Sequence, residues 1–252
     1  MQRIALITGV TGGIGSATAK LFADEGWRVI GVDRCRSDIE NRDINHYINV
    51  DISNTIESQF CFNEVATHEG RIDALINNAA IQICKPIVDT TPEEWDAVMA
   101  ANVRSVYLSI RNAFPLMEER GGSIVNVSSV HAIATSSNIA AYAASKGAIL
   151  ALTRAAAIEL ANIKIRVNAI LPGAIDTPML RSGLKRGHLT TSNSNDCDLI
   201  NELGSRHIIG RIGTPKEVAN AILFLSDKNK SSFITGQTLV VDGGAVARLS
   251  TE

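Results

Sequence analysis

Residues 3–33 read RIALITGVTGGIGSATAKLFADEGWRVIGVD and combine two short apolar runs with a longer segment between them. The runs RIALIT at 3–8 and WRVIGVD at 27–33 are rich in Ile, Val and Leu, which is typical of buried strands. The segment at 13–26 has helical period. The stretch therefore predicts a strand, a helix and a second strand that open an α/β fold.

The same alternation continues along the chain and predicts the rest of the sheet. Further strands are expected at 46–50, 73–77, 123–129, 165–171 and 237–243. Helices are expected at 54–69, 92–119, 141–162 and 215–226. Because strands that are apolar throughout are buried on both faces, we expect a parallel sheet of about seven strands with helices above and below it. Residues 1–252 are interpreted as one doubly wound α/β domain.

The composition excludes several classes of function. The chain has 252 residues, with 24 Lys and Arg against 26 Asp and Glu, and a net charge of −2. No basic field is available to hold a nucleic acid or an anionic membrane, so neither is expected as a partner. The first residues lack a signal-peptide pattern, and no uncharged apolar stretch approaches the ~18 residues of a membrane span, so we expect a cytoplasmic protein.

The cysteines and histidines show no metal-binding pattern. Cys35, Cys61, Cys84 and Cys197 are widely spaced, without a Cys-x-x-Cys pair, and the five histidines form no His-x-x-x-His pair. We expect reduced thiols and no metal held by the protein.

One segment, 178–212, differs in composition from the rest of the chain. It contains RSGLKRGH at 181–188 and the polar stretch TTSNSND at 190–196. A loop of this length inside a compact domain is either disordered or a functional lid. Because it follows the carboxyl end of a strand, where open α/β sheets bind ligands, we favour a substrate-binding lid.

The glycines of TGVTGGIG at 8–15 lie between the first strand and the first helix. Gly9, Gly13 and Gly15 permit a tight turn whose backbone approaches a pyrophosphate, with the N-terminus of the helix beside it. A plain glycine-rich turn is the alternative interpretation. No Lys-Ser or Lys-Thr follows the glycines, so the nucleotide loop of ATPases and kinases is not present.

Asp33 ends the second predicted strand, 18 residues after Gly15. A carboxylate at this place can accept hydrogen bonds from both hydroxyls of an adenosine ribose, which predicts NAD rather than NADP. The nearby Arg34 and Arg36 could offset part of the repulsion of a 2′-phosphate, and a carboxylate that merely ends a strand is the other interpretation.

Tyr142 and Lys146 lie four residues apart in the predicted helix AAYAASKGAIL. Four residues turn through about 400°, so both side chains project from one face. An ammonium about 4 Å from the phenol would lower the phenol pKa from about 10 towards about 7, within the range useful for acid–base catalysis. The sequence therefore predicts that the two side chains share a site.

Two further polar residues are expected near this pair. Ser129 ends the strand SIVNVSS, so its hydroxyl lies at the ligand-binding edge of a parallel sheet, within reach of a substrate oxygen. Asn102, in MAANVRSVYLSI, could connect helix backbone to an ordered water that leads to the lysine. A packing or capping asparagine is the alternative.

Together, the glycine turn, Asp33, Ser129, Tyr142 and Lys146 resemble the short-chain dehydrogenase/reductase family, and the resemblance extends from the first strand to Gly244. TGVTGGIG is similar to the family's Thr-Gly-x-x-x-Gly-x-Gly signature, and NNAA at 77–80 to its Asn-Asn-Ala-Gly motif, with Ala80 in place of glycine. PGAIDT at 172–177 resembles the family's Pro-Gly turn, and ITGQTLVVDGG at 234–244 its terminal strand. The resemblance implies a Rossmann-like fold.

The same resemblance implies roles for individual residues. In a tetrad of Asn102, Ser129, Tyr142 and Lys146, Tyr142 would exchange the hydroxyl proton, Ser129 would polarise the carbonyl, Lys146 would hold the ribose and Asn102 would complete a proton relay. Asp51 would contact the adenine, and Ile175 and Thr177 the nicotinamide carboxamide. The implied cofactor-binding set is Gly9, Thr11, Gly13, Ile14, Gly15, Asp33, Asp51, Ile52, Asn78, Ala79, Tyr142, Lys146, Pro172, Gly173, Ile175 and Thr177.

On the substrate side, Gln82 and His131 match the carboxylate-binding residues of bacterial 3-hydroxybutyrate dehydrogenases, a branch of the family. The lysine of that branch is Ile139 here, which removes its main counter-charge. A small hydroxy or keto acid is one interpretation, with Gln82, Ser129, His131 and Tyr142 as substrate contacts. Polar residues of a pocket wall are the other interpretation of Gln82 and His131.

The leading hypothesis is an oxidoreductase that transfers a hydride between NAD(H) and a small secondary alcohol or ketone, as a homotetramer by analogy with the family. The alternatives are a dinucleotide-binding regulator without catalysis and an NADP-dependent enzyme similar to 3-oxoacyl reductases. A serine hydrolase based on Ser129 and His131 is a further class, but the chain has no Gly-x-Ser-x-Gly motif.

Overall fold

A single parallel sheet runs through the part of the chain that the computed structural model describes, which is residues 2–35, 42–184 and 196–247. Its strands are β1 (Ile4–Thr8), β2 (Arg28–Asp33), β3 (His46–Asn49), β4 (Ala74–Asn77), β5 (Gly122–Val127), β6 (Ile165–Pro172) and β7 (Thr238–Val241). They lie in the order β3-β2-β1-β4-β5-β6-β7, and all neighbouring strands are parallel. The predicted doubly wound α/β fold is confirmed.

Helices cover both faces of this sheet. Their bounds are α1 (Gly13–Asp24), α2 (Thr55–His68), α3 (Pro92–Met99), α4 (Ser105–Ala113), α5 (Ala140–Glu159), α6 (Pro178–Leu184), α7 (Asp196–Ser205), α8 (Pro215–Ser226) and α9 (Lys228–Ser231). Two of them begin with a capping box, formed by Thr91 with Glu94 at α3 and by Thr214 with Glu217 at α8. In both, proline occupies the start of the helix, where its missing N–H costs no hydrogen bond.

The helix predicted at 92–119 is present, but it is not α-helical throughout and it ends earlier. A π-helical turn, Ala100–Arg104, separates α3 from α4. The chain after α4 forms a 3₁₀ turn, Phe114–Leu116, because Pro115 has no backbone N–H with which to continue the helix. The helix predicted at 141–162 is α5, which ends three residues earlier, at Glu159.

The core has one layer on each side of the sheet. In β1, Ile4 and Leu6 join the layer that contains Phe62 of α2, whereas Ala5 and Ile7 join the layer that contains Phe22 of α1. Successive side chains of a strand point to opposite faces, so an uninterrupted apolar strand fills both layers. This explains why the strands read as continuous apolar runs.

The order of the strands places the ligand-binding edge. β1 lies between β2 and β4, so the chain proceeds outward from β1 in opposite directions in the two halves of the sheet. Such a reversal opens a crevice at the carboxyl ends of the strands. The segment 178–212 follows β6 at this edge and contains α6 and α7, so its described part is largely helical rather than an open loop.

Candidate active site

The glycine turn after β1 is a close-packed structure in which side chains have no room. Gly9 has φ +66°, and a Cβ there would lie 2.7 Å from the Ala79 Cα. A Cβ at Gly15 would lie 2.1 Å from the carbonyl oxygen of Gly9. The residue type is therefore dictated by packing, as expected for backbone that approaches a ligand.

Asn78, directly after the neighbouring strand β4, holds the turn in place. Its Nδ2 donates to the carbonyl oxygens of Thr8 and Gly9, at 3.1 and 2.9 Å. The Thr8 hydroxyl in turn accepts from the backbone N–H groups of Asn78 and Ala79, at 3.0 and 3.1 Å. Asn78 and Ala79 of the NNAA motif therefore fix the conformation of the glycine turn through hydrogen bonds.

Asp33 lies at the end of β2 and is bonded to the same turn. One carboxylate oxygen accepts from the backbone N–H and the hydroxyl of Thr11, at 3.0 and 2.7 Å. The other accepts from the N–H of Cys35 at 3.2 Å. Arg34 follows Asp33 directly, whereas Arg36 falls outside the described residues.

Ser129, Tyr142 and Lys146 come together at the carboxyl end of β5. Tyr142 and Lys146 are both buried on α5, and the Lys146 Nζ lies 5.4 Å from the centre of the Tyr142 ring. The same Nζ donates to the carbonyl oxygen of Val127 at 2.8 Å. The Ser129 hydroxyl is hydrogen-bonded with Tyr142 and accepts from the backbone N–H of His131 at 3.2 Å. The predicted shared face of the helix is therefore present.

The protonation of this cluster differs from the expectation. Burial raises the pKa of the Tyr142 phenol to about 12, although the hydrogen bond with Ser129 lowers it, and neighbouring Cys84 raises it further. Burial also lowers the pKa of the Lys146 ammonium to about 7. The prediction that Lys146 brings the phenol pKa towards neutrality is thus wrong for the protein alone. The reason is that both side chains lose hydration, and the loss disfavours the charged form of each.

Asn102 lies on the π-helical turn and is completely buried. Its Oδ1 accepts from the N–H of Ile81 at 2.8 Å, and its Nδ2 donates to the carbonyl oxygen of Ile81 and to the hydroxyl of Ser145, both at 3.0 Å. Ser145 in turn donates to the carbonyl oxygen of Tyr142 at 2.7 Å. The side chain therefore joins the segment after β4 to α5, as the packing alternative predicts, and both its amide hydrogens are engaged.

These elements surround one cavity of about 560 Å³. Of the predicted site residues, it is lined by Gly9, Thr11, Gly13, Ile14, Asp33, Asp51, Ile52, Asn78, Ala79, Gln82, Ser129, His131, Tyr142, Lys146, Pro172, Gly173, Ile175 and Thr177. Gly15 and Asn102 do not line the cavity. Gly15 packs against the carbonyl oxygen of Gly9, and Asn102 lies on the π-helical turn, where it is bonded to Ser145 of α5. Asp51 lines the cavity while one carboxylate oxygen accepts from the N–H and hydroxyl of Ser53, at 2.9 and 2.7 Å.

Comparison with known proteins agrees with this geometry. A sequence model described as enoyl-(acyl carrier protein) reductase matches residues 9–246. The chain is 37% identical over 254 residues to a 3-oxoacyl-(acyl-carrier-protein) reductase of Thermotoga maritima, covering 97% of this chain and 98% of that one. It is 35% identical over 255 residues to a cyclopentanol dehydrogenase of Comamonas testosteroni, covering 98% of both.

Among solved structures, the ligand-free aldohexose dehydrogenase of Thermoplasma acidophilum is similar, with a TM-score of 0.92 and 34% identity over 99% of this chain and 96% of that chain. The chain belongs to the short-chain dehydrogenase/reductase family. It is an NAD(P)-dependent oxidoreductase of this family. No helix of the described residues is long and apolar enough to cross a membrane.

The glycine turn of this dehydrogenase fits the pyrophosphate of such a cofactor. Gly12, the N-cap of α1, makes no side-chain cap bond, and no acidic side chain lies in the first turn of the helix. A Cβ at Gly13 would lie 2.7 Å from Thr177 Cγ2, so the backbone of α1 closely approaches the segment after β6. Free N–H groups and a helix N-terminus without acidic side chains favour an anion.

Gln82 and His131, the predicted substrate contacts, line the cavity and are held by neighbouring groups. Gln82 Nε2 donates to the Cys84 sulfur at 2.9 Å, and a Cβ at Gly183 of α6 would lie 2.8 Å from the same nitrogen. The His131 ring lies edge-on to Tyr142, with ring centres 5.9 Å apart, and its Nδ1 is bonded to the Thr135 hydroxyl at 2.9 Å. The Ser129 hydroxyl is thus bonded to the backbone N–H of His131, whereas Nδ1 of the ring is bonded to Thr135. A serine hydrolase needs the hydroxyl bonded to the imidazole, so this arrangement does not favour that class of enzyme.

Part of the cavity wall could not be predicted residue by residue, although three of its residues lie within the predicted lid at 178–212. Leu203, Arg206, His207 and Ala245 line it, from the end of α7 and from the segment after β7. No motif marks these positions, because they follow a helix and a Gly-Gly turn rather than the apolar strand that located the other residues. Met179 and Leu180 of α6 line the cavity, as an apolar wall requires.

Proposed function

We propose that this dehydrogenase uses NAD(H) in preference to NADP(H) and interconverts a small secondary alcohol and its ketone, with Ser129, Tyr142 and Lys146 as catalytic residues and Asn102 as a relay and positioning residue. The observation that carries the proposal is that the first three side chains line the same cavity as the glycine turn and Asp33. When bound, the nicotinamide cofactor supplies or accepts the hydride.

The proposed roles follow from the chemistry of each side chain. With a pKa of about 12 the Tyr142 phenol is protonated at neutral pH, as a donor to an alkoxide formed on carbonyl reduction must be. The Ser129 hydroxyl, already bonded to the phenol, can donate to the same substrate oxygen. Lys146, with a pKa of about 7, can exchange protons near neutrality, and its Nζ is fixed by Val127.

The Tyr142→Phe variant tests the catalytic role. It removes one hydroxyl without changing the ring, so turnover should fall by about 10²- to 10⁴-fold while NADH affinity stays within about twofold. NADH oxidation with a panel of small ketones measures the first, and NADH fluorescence titration the second. Tyr107→Phe, at a half-exposed position of α4, is the matched control and should keep full activity. A Tyr142→Phe enzyme with the wild-type rate would exclude this role.

The preference for NAD(H) is supported by the charge at the end of β2. The Asp33 carboxylate lines the cavity and is fixed by Thr11, so a 2′-phosphate nearby would meet a like charge in a defined position. Cavity residues that we propose for the cofactor also include Asp51, Ile52, Pro172, Gly173, Ile175 and Thr177.

For the substrate we propose contacts from Gln82 and His131 and a lid at 178–212. The described part of this lid supplies six residues to the cavity: Pro178, Met179, Leu180, Leu203, Arg206 and His207. Ile139 is buried at the start of α5 and offers no counter-charge to an acid. A neutral ketone is therefore favoured over a keto acid. The identity to the Thermotoga relative supports a 3-oxoacyl thioester as the second candidate. Parallel assays with a ketone, a keto acid and a 3-oxoacyl thioester distinguish the three, and binding of NADH without any turnover would indicate a regulator.

We also propose a homotetramer in the cytoplasm. Apolar side chains are exposed on α5 and around β7, where β7 is an edge strand: Ile158, Phe233, Leu239 and Val240. Exposed apolar groups of this kind are typical of subunit contacts. Cys35, Cys61 and Cys84 are free thiols, in keeping with a reducing compartment. Light scattering coupled to gel filtration measures the subunit number, and a monomer at micromolar concentration would contradict the tetramer.

A further inference from the structure

His207 is a buried histidine of the cavity wall that the proposed chemistry does not use. It follows α7, is only 4% exposed, and lines the same cavity as Ser129 and Tyr142. Its backbone N–H donates to the Gly204 carbonyl oxygen at 3.0 Å, so the chain turns back at this point. The side chain is therefore part of a folded wall rather than of an exposed loop.

The segment after β7 fixes the ring from the other side. Gly243 has φ +60°, and a Cβ there would lie 3.6 Å from the His207 Cδ2. The N–H of Ile209 donates to the Gly243 carbonyl oxygen at 3.2 Å. The positive φ of Gly243 permits this close approach, and the ring is held between the end of α7 and the chain that leads to Ala245.

The hydrogen bond of the ring defines its tautomer. Nδ1 lies 2.9 Å from the carbonyl oxygen of Leu203. A carbonyl oxygen can only accept, so Nδ1 carries the proton, and Nε2 of the neutral ring is an acceptor. Throughout the described ranges, no group donates to this Nε2. Among the described residues, it is the only buried side-chain nitrogen or oxygen without a hydrogen-bond partner that belongs to a residue of the cavity wall.

The surroundings favour a neutral hydrogen-bond donor over an anion. Arg206, beside His207 on the wall, is paired with Glu202 at 2.8 Å, so its charge is compensated. A carboxylate would bring lone pairs against the lone pair of Nε2, whereas a hydroxyl group can donate to it. Nε2 has no partner among the described residues, so a donor that approaches the His207 ring from the cavity would satisfy this acceptor.

We infer that His207 is a specificity-determining residue whose Nε2 accepts a hydrogen bond from a second hydroxyl group of the substrate. The substrate class is then a diol, a hydroxyketone or a polyhydroxylated alcohol, rather than an alcohol whose only polar group is the one that reacts. This inference rests on the proposed function, because it assigns the second polar contact of the substrate whose first oxygen lies at Tyr142.

The test compares alcohols that differ by one hydroxyl group: cyclohexanol with 1,2-cyclohexanediol, and 2-butanol with 2,3-butanediol. The wild-type enzyme should have the higher kcat/KM for each diol. His207→Leu should lower kcat/KM for the diols by about 10-fold or more and change it for the mono-alcohols by less than about twofold. His68→Leu, on the exposed face of α2, is the matched control and should retain the wild-type preference.

The inference would be overturned if the ratio of kcat/KM for the diol to kcat/KM for the mono-alcohol were equal in wild type and His207→Leu. A wild-type enzyme with the higher kcat/KM for the mono-alcohols would also overturn it. NADH affinity, measured by fluorescence, should be the same in both proteins, because His207 is not among the proposed cofactor contacts. If no alcohol of either pair reacts, the proposed function fails instead. The nitrogen NMR shifts of the His207 ring then decide independently: unchanged Nε2 at saturating diol in the presence of NADH would refute the contact.

Discussion

Replacing Gly15 by alanine tests whether packing, rather than chance, fixes the glycine turn. The new Cβ would lie 2.1 Å from the Gly9 carbonyl oxygen, more than an ångström inside the ordinary contact distance of 3.4 Å. The obstacle is backbone, so no side-chain rotation relieves it. The Gly9 carbonyl must move, and it also accepts hydrogen bonds from Asn78 Nδ2 at 2.9 Å and from the Gly12 N–H at 3.2 Å.

The magnitude follows from these contacts. Overpacking costs about 1–3 kcal/mol, and each weakened hydrogen bond adds up to about 1 kcal/mol. Alanine returns up to about 1 kcal/mol through its better helix propensity in α1. Mid-range values of these contributions leave a net loss of about 1–4 kcal/mol in the free energy of unfolding. At about 2–4 °C per kcal/mol, this loss corresponds to a decrease in Tm of about 2–16 °C. The dissociation constant for NADH should rise at least about 10-fold, because the turn that would bind the pyrophosphate is displaced.

Differential scanning fluorimetry measures Tm, and quenching or enhancement of NADH fluorescence measures its affinity. Gly147→Ala, within α5, is the matched control for stability, because its Cβ would lie 4.0 Å from the Ala132 carbonyl oxygen and would therefore meet no clash. That variant should keep or raise Tm. A Gly15→Ala protein with wild-type Tm and wild-type NADH affinity would refute the account of the turn.

Three further predictions follow from the site. Asp33→Ala should weaken NADH binding and should raise the affinity for NADPH relative to that for NADH, because the carboxylate that repels a 2′-phosphate is lost. Equal changes in both affinities, measured by fluorescence titration, would contradict the NAD(H) preference. Burial lowers the Lys146 pKa from 10.5 to about 7. Between about pH 7 and pH 10.5 the unfolded chain therefore binds more protons than the native state, so the contribution of Lys146 to stability falls as the pH decreases from 10.5 to about 7. Lys146→Met should therefore gain more stability at pH 6 than at pH 10 in urea unfolding, and the same gain at both would be inconsistent with a depressed pKa. Asn102→Ala should lower the free energy of unfolding by about 2–4 kcal/mol, because three hydrogen bonds of a completely buried side chain are broken. Asn112→Ala, which loses one bond to Ser58, should lower it by about 1 kcal/mol. Similar decreases for the two variants in chemical denaturation would argue against an anchoring role for Asn102.

The sequence predicts the sheet well because its strands are buried on both faces. A run such as RIALIT is apolar throughout, which identifies a strand whose side chains pack into both core layers. The turn residues that follow each run locate the carboxyl end of the strand. The π-helical turn between α3 and α4 could not be predicted in this way. The π-helical turn at Ala100–Arg104 has no periodicity of its own in MAANVRSVYLSI, and its geometry depends on bonds from Asn102 to Ile81, which is 21 residues away in sequence.

Helical spacing places Tyr142 and Lys146 on one face but does not give their protonation. That depends on how much water each group loses and on where the ammonium points, and both are set by tertiary packing. Lys146 is 2% exposed and bonded to a carbonyl of β5, so it cannot behave as the hydrated charge that a pairwise estimate assumes. The residue types of the site could be predicted from the sequence, whereas the pKa values could not.

The two sides of the cavity differ in what fixes them. Asp33 ends a strand, and Asn78 and Ser129 follow strands, so the hydrogen-bonded sheet sets their positions directly. Gln82 and His207 are instead fixed by a cysteine sulfur and by the packing of α7 against a Gly-Gly turn, which lie outside the sheet. Substitutions at the latter positions can therefore alter the contacts offered to a substrate while the sheet keeps the proposed cofactor contacts in place. This is why a common core of strand-following residues is compatible with different substrates, and why His207→Leu should separate substrate preference from NADH affinity.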